Sequence, residues 1–396
     1  MNLTKTVLPI AVVYIFRMLG LFMLIPVFTL YAYQLQDATS ARIGFALGAY
    51  GLSQSILQIP FGLLSDRFGR KKLLYIGLAM LFLGSLLGAS TTSVYGMIIA
   101  RSLQGAGAIG SVLLALLADL TTEKARTKAM AIIGMGIGIS FGLAILISPP
   151  LTQLTGGLSI IFYITAGLAL LGLLIVYTII PTPQHETFHP ETETKSSLMM
   201  LALRDKQLWR FNLSIFFQHG IFTATFFVLP LLLKQYINTG YLTASYQFYV
   251  PMMLCAFFGM VPVIIWSEKK QRIKQCFLSL VLCIAATQFI LVYTHVAWTT
   301  FCFAIILYLL AFNYLEANIP SLISKHVNPT MRGTALGIYS SAQFLGIFAG
   351  GFTAGYLFSK YGSAGIFCFN GICALVWFFV SRQIPFTPRR SAQHQP

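Results

Sequence analysis

Four ionisable side chains lie inside long apolar runs of this chain: Arg17, Arg101, His219 and Glu316. A charge at mid-membrane costs on the order of 3 kcal/mol by insertion scales, so residues placed there point to function. Their types handle protons and anions. Glu316, in Tyr314-Leu-Glu-Ala-Asn-Ile-Pro320, is the one acid well inside such a run. Helical spacing sets it on a stripe with Tyr308, Phe312 and Pro320, with Asn313 alongside. A carboxyl group in that position can carry a proton through a cycle, bind a substrate, or serve structure alone. Arg17 can bind an anionic group, hold Glu316 ionised, or make a structural pair. Arg101 has Gln104 on its own face at i+3. His219 shares a stripe with Asn212, Phe216 and Thr223 and can relay protons near neutral pH, or simply pack.

Other chemistries are not expected. The sequence has no G-x-x-x-x-G-K-[ST] phosphate loop, no metal-spaced His/Cys cluster and no G-x-S-x-G nucleophile elbow. An enzyme, a cofactor and a bound metal are therefore outside the reading. The six cysteines sit in or beside apolar runs of the second half without a C-x-x-C pair, and are read as free packing residues.

The elements that must position these residues are membrane helices. Of the 396 residues 57% are hydrophobic and 9% charged, whereas a soluble domain carries about 25% charged residues. Apolar stretches fall at about 7–32, 43–64, 73–92, 95–118, 129–151, 159–181, 209–233, 246–266, 276–294, 298–323, 334–357 and 364–384. Twelve spans of plausible length result, giving an all-α polytopic membrane protein. The net charge of +16 invites a nucleic-acid partner, but its distribution argues against one. With the N-terminus inside, every basic residue falls on the inner side except Arg42, Lys234 and Lys360 outside, and Arg17 and Arg101 within spans. That is the positive-inside signature of insertion, with both termini cytoplasmic. The first apolar run is too long for a cleaved signal and reads as the first span.

The chain divides into residues 1–181, a polar cytoplasmic linker at 182–207 with a short surface helix from Ser197 to Lys206, and residues 208–396 ending in a short cytoplasmic tail. The halves repeat weakly. Pro60-Phe-Gly-Leu-Leu-Ser-Asp66 returns as Pro262-Val-Ile-Ile-Trp-Ser-Glu268, and Arg126-Thr-Lys-Ala-Met-Ala-Ile132 as Arg332-Gly-Thr-Ala-Leu-Gly-Ile338. Small residues at four-residue spacing mark close helix contacts: Gly44 and Gly48; Gly134, Gly138 and Gly142; Gly346, Gly350 and Ala354.

The turn between the second and third spans reads Gly62-Leu-Leu-Ser-Asp-Arg-Phe-Gly-Arg-Lys-Lys72. Its pattern resembles the hallmark loop of the major facilitator superfamily. That resemblance implies two six-helix bundles around a central cavity lined by the first, fourth, seventh and tenth helices, the four that carry Arg17, Arg101, His219 and Glu316. It also implies a conformational latch of Gly62, Asp66, Arg67, Gly69, Arg70 and Asp119. In it Asp66 caps the eleventh helix near Thr334, and Arg70 pairs with Asp119. Arg101-Ser-Leu-Gln-Gly-Ala-Gly-Ala108 is similar to the family's fourth-helix motif, associated there with proton coupling.

Phe16 to Val27, Glu316 to Lys325 and Arg332 to Gly346 resemble the YajR-type branch, which is grouped with drug:proton antiporters; the chain is expected to lack that branch's extra C-terminal soluble domain. One departure stands out. Where the antiporter motif of the fifth helix ends Gly-Pro-x-x-Gly, this chain has Ser148-Pro-Pro-Leu151.

The expected function is secondary transport by alternating access in the inner membrane, by a monomer. The partners are a small-molecule substrate, protons and the lipid bilayer. Efflux of an amphipathic molecule by proton antiport comes first. Proton-coupled uptake of an organic anion or chelator, and a non-transporting receptor or scaffold, are the alternatives.

Overall fold

The computed structural model describes residues 3–182, 196–293 and 297–384. Apart from the 3-10 turn Pro329–Met331, its regular elements are helices: α1 (Leu3–Phe22), α2 (Phe28–Ala32), α3 (Ser40–Phe68), α4 (Arg70–Ser90), α5 (Val94–Ala106), α6 (Ile109–Asp119), α7 (Glu123–Thr155), α8 (Ser159–Thr178), α9 (Ser196–Arg204), α10 (Lys206–Asn238), α11 (Tyr246–Lys269), α12 (Ile273–Val292), α13 (Trp298–His326) and α14 (Arg332–Ser381). Among the described residues nine stretches are long and apolar enough to cross a bilayer. The polypeptide is thus an all-α, multi-pass membrane protein.

Local sequence sets the helix ends. Thr39 starts α3 by accepting the Arg42 N–H at 3.3 Å. Asp205 starts α10 by accepting from Gln207 N–H at 2.8 Å and Leu208 N–H at 3.2 Å, which satisfies two of the donors a helix start leaves open. Gly69, at φ 100°, is the single residue between α3 and α4, a conformation that a side chain would strain. Gly362 (φ 64°, ψ −159°) breaks α14 in the same way. The expected surface helix of the linker is present as α9. Residues 183–195 of that linker and 385–396 of the tail lie outside the described residues.

Helices α1 and α3–α8 pack among themselves, and so do α10–α14. The two sets meet where α3 lies along α14, where α7 meets α11, and where α2 meets α10. Taking the α3–α4 turn as the loop end, the first set has an apolar core of its own there, from Val7 and Leu74 to Leu117 and Ile180. Towards the far end one apolar core runs through both, from Met23, Phe28 and Ile145 to Phe226 and Tyr249.

Glycine governs the α3–α14 contact. A Cβ on Gly48 would come within 2.8 Å of the Phe348 carbonyl, one on Gly51 within 2.5 Å of that of Phe344, and one on Gly351 within 2.8 Å of that of Gly44. The backbones touch, as dispersion-driven packing in lipid requires. On the opposite face of α14, Gly346 and Gly350 seat against the backbones of Phe216 and Gly220 on α10. The expectation for α7 is corrected. Among the described residues nothing lies within 4 Å of a Cβ placed on Gly134, Gly138 or Gly142, so this stripe makes no close contact with another described helix.

Candidate functional site

Glu316 lies about 15 Å by helical rise from the end of α13. The Gln218 amide donates to its Oε2 at 3.0 Å, and the Gln343 amide to its Oε1 at 3.4 Å. His219 Nε2 stands 3.8 Å from Oε2. The same Gln343 nitrogen is 2.8 Å from His219 Nε2. Three helices, α10, α13 and α14, thus converge on one carboxyl group. The side chain of Glu316 is 38% exposed, against 9% for His219, so the acid fronts open space while its partners are packed.

The amide geometry carries chemical information. The Gln343 nitrogen stands between the two neighbours, where it can donate to the Glu316 carboxyl oxygen and to an unprotonated His219 Nε2. One amide thus touches both titratable groups.

Beside this group an aromatic layer crosses between the two helix sets. Phe22 of α1 meets Phe141 of α7 edge-on at 5.1 Å, Phe141 lies 6.1 Å from Phe222 of α10, and Phe222 stacks on Phe312 of α13 at 4.5 Å. The His219 ring meets Phe312 at 5.6 Å. Further towards the far end, a cavity of about 270 Å³ is lined by residues that include Tyr31, Thr152, Gln153 and Lys234.

The arginines form a second centre in the other helix set. Arg17 Nη2 donates to the Tyr50 hydroxyl at 3.2 Å, and the Arg101 guanidinium lies over the Tyr50 ring at 4.9 Å. Arg101 Nη1 also donates to Gln104 Oε1 at 2.8 Å, whose amide in turn donates to Ser85 Oγ at 2.8 Å. The i+3 placement of Gln104 is thus used. The idea that Arg17 holds Glu316 ionised is corrected: among the described residues neither arginine comes within ion-pair distance of Glu316. Asn313 is half-buried and joins none of these bonds.

The loop residues split likewise. Arg70, almost wholly buried, pairs directly with Asp66, donates from Nε to Asp119 Oδ2 at 3.0 Å, and from Nη1 to Ser65 Oγ at 2.7 Å. Arg67 is exposed and rests on the Phe68 ring at 5.5 Å. Gly62 faces Ser111 with room for a Cβ, at 3.6 Å, so close approach does not require glycine there.

Sequence reasoning missed Tyr50, Gln218 and Gln343, which complete both centres. The available signal was the run of amides inside apolar segments, Gln54, Gln58, Gln218, Gln288 and Gln343, each of which must find a partner away from water.

Comparison with known proteins identifies the family and the fold. The family profile described as Major Facilitator Superfamily matches residues 10–350 and 277–395. The chain is 38% identical over 377 residues to the inner membrane transport protein YajR of Escherichia coli (strain K12), covering 95% of this chain and 82% of that protein. It is 33% identical over 353 residues to an uncharacterized transporter of Buchnera aphidicola subsp. Acyrthosiphon pisum, covering 87% and 88%. A crystal structure of the nucleoside transporter NupG superposes with a TM-score of 0.76 at 14% identity, over 97% of this chain and 99% of that one.

Proposed function

The chain belongs to the major facilitator superfamily, a family of carriers rather than enzymes, and on that footing we propose that it is a proton-coupled antiporter exporting a small amphipathic molecule. Counting α1 and α3 as spans, and α14 as two spans separated at Gly362, gives twelve helices in two six-helix bundles. In this reading the loop end, both termini and the linker face the cytoplasm of a cell whose inner membrane holds the protein as a monomer. The aromatic layer closes the far side, and α3 and α14 stay in contact towards the cytoplasm through Gln58 and Ser340. The Asp66–Arg70–Asp119 group would help close that side in the opposite state.

One observation carries the proton role. Glu316 is an acid at membrane depth that faces open space and is held by two amides and a histidine. Groups of this kind in membranes mark proton pathways. Export rather than uptake rests on the resemblance to drug:proton antiporters. The altered fifth-helix motif keeps uptake of an organic anion as the second reading; here α7 runs through Pro149 and Pro150 without a break.

Transport into sealed vesicles with an imposed pH gradient tests the proposal. Accumulation in inside-out vesicles acidified within is the expected result. Accumulation only in right-side-out vesicles would reverse the direction, and no gradient-dependent movement across a broad substrate panel would favour a receptor. Glu316→Gln should abolish gradient-driven accumulation while leaving substrate exchange intact; undiminished coupling in that variant removes Glu316 from the proton role.

A further inference from the structure

The fourth span is not one helix. It stops at Ala106 and restarts at Ile109, with Gly107 (ψ 58°) and Ala108 (ψ 53°) both outside helical geometry. Tight turns close the break, Ala108 N–H to Ala106 O at 2.8 Å and Ile109 N–H to Gly107 O at 2.7 Å. The eleven-residue α6 therefore begins inside the membrane, and no side chain caps its start. A helix start carries about half a positive charge. Here a further positive charge stands over it: Arg17 Nη1 lies 3.1 Å from where a Cβ on Gly110, the second residue of α6, would sit.

Arg17 and Arg101 are each 3% exposed, yet among the described residues neither meets a carboxylate. Arg17 spends one of its five N–H donors, on Tyr50, and Arg101 one, on Gln104. Arg101 Nε is buried without a partner. Two guanidinium groups sharing one tyrosine, next to the positive end of a half-helix, repel one another in a medium of low dielectric. Buried charges normally occur paired, so this arrangement is short of an anion.

We propose that Arg17, Arg101 and the start of α6 form a subsite for the anionic oxygens of a transported organic acid, a carboxylate or a phosphate. Forked guanidinium donors suit the two oxygens of such a group, and the helix start favours its charge. The phenol of Tyr50 holds both forks in place. The apolar body of the ligand then extends towards the aromatic layer, while Glu316, in the opposite helix set, stays available for the proton. The subsite deepens the transporter reading by naming the cargo as an amphipathic organic anion, and rests on that reading.

Binding to the purified full chain in detergent, at constant ionic strength, tests it with benzoate, phenyl phosphate, inorganic phosphate and the neutral benzamide. Benzoate or phenyl phosphate should bind saturably and at least tenfold more tightly than benzamide. Arg17→Gln and Arg101→Gln should each weaken that binding tenfold or more. Gly110→Ala, which displaces the Arg17 fork by a few tenths of an ångström, should weaken it severalfold. Should a glutamine variant fold poorly, the Lys variants keep the charge without the fork, and should also bind more weakly than wild type. Tighter binding of phenyl phosphate than inorganic phosphate identifies an organic cargo; equal binding identifies the free oxyanion. Binding of benzamide as tight as benzoate, no binding of any anion, or affinities unchanged in all the variants would overturn the proposal. Equilibrium binding of these anions needs no pH gradient, whereas the vesicle assay does, so loss of anion recognition and loss of proton drive are separately read.

Discussion

Arg70 should matter more to stability than any other charged residue of the α3–α4 turn. Its side chain is 2% exposed and that of Asp119 is 0%, with Nε and Oδ2 at 3.0 Å. At an effective dielectric of about 20, charges this close attract by roughly 5 kcal/mol, against a desolvation cost of several kcal/mol per ion. Removing one partner of such a pair costs about 3–5 kcal/mol. Asp66 is 33% exposed, so its share of the group is screened and worth at most ~1 kcal/mol. Unfolding entropy for a chain of this length is about 0.8 kcal/mol/K. Arg70→Met should therefore lower the thermal midpoint of the detergent-solubilised protein by about 4–6 °C, and by more where helices persist after unfolding. Asp66→Asn should lower it by about 1 °C. Adding Asp119→Asn to Arg70→Met should recover at least half of the loss, because the neutral amide no longer demands a cation. If the double variant is as unstable as the sum of its single changes, the buried pair does not act as a unit and this reasoning fails.

The glycines give an opposed pair of expectations. Gly48→Leu drives a side chain into the Phe348 backbone and should abolish stable insertion or transport, while Gly138→Leu, whose Cβ meets nothing within 4 Å, should leave the described conformation stable. Equal damage from both, measured as folded yield in membranes, would show that contact in this conformation does not set glycine's value. Asp205→Ala removes two hydrogen bonds from the start of α10 and should cost about 1 kcal/mol, read as a small drop in thermal midpoint with transport preserved.

Much of this was legible in the sequence, for a physical reason: water is absent from the bilayer, so ionisable residues inside a span declare themselves. Arg17, Arg101, His219 and Glu316 stood out on that ground, and the resemblance of the loop implied the Arg70–Asp119 pair that forms, while the Arg70–Asp66 pair was not foreseen. What was not legible is who meets whom. Arg17 went to Tyr50 rather than to Glu316, because α1 packs within the first helix set while Glu316 turns to α10 and α14. The glutamines that hold Glu316 carry no charge and raise no comparable alarm. The glycine rule succeeded on α3 and α14 and failed on α7, since a four-residue spacing states that a helix can be approached closely, not that in a given conformation it is.

The two centres and the contact between helix sets come together on α14. Gln343 bonds Glu316; the next residue, Phe344, presents its carbonyl to Gly51 of α3; and Ser340, one turn earlier, accepts the Gln58 amide of α3 at 2.7 Å. On its other face the same stretch seats Gly346 and Gly350 against α10, which carries Gln218 and His219. In the proposed cycle, a proton on Glu316 alters the group that Gln343 faces, and that amide sits one residue from a contact in which backbone rests on backbone. Close-packed contacts of that kind change by repacking between discrete arrangements rather than by yielding gradually. Tyr50, which holds both arginines, lies beside Gly51 on the α3 surface that α14 presses, and its ring stands 6.1 Å from that of Phe344. A continuous set of contacts therefore joins the acid to the proposed anion subsite through one helix, and the glycines of α3 and α14 make its middle a backbone-to-backbone contact.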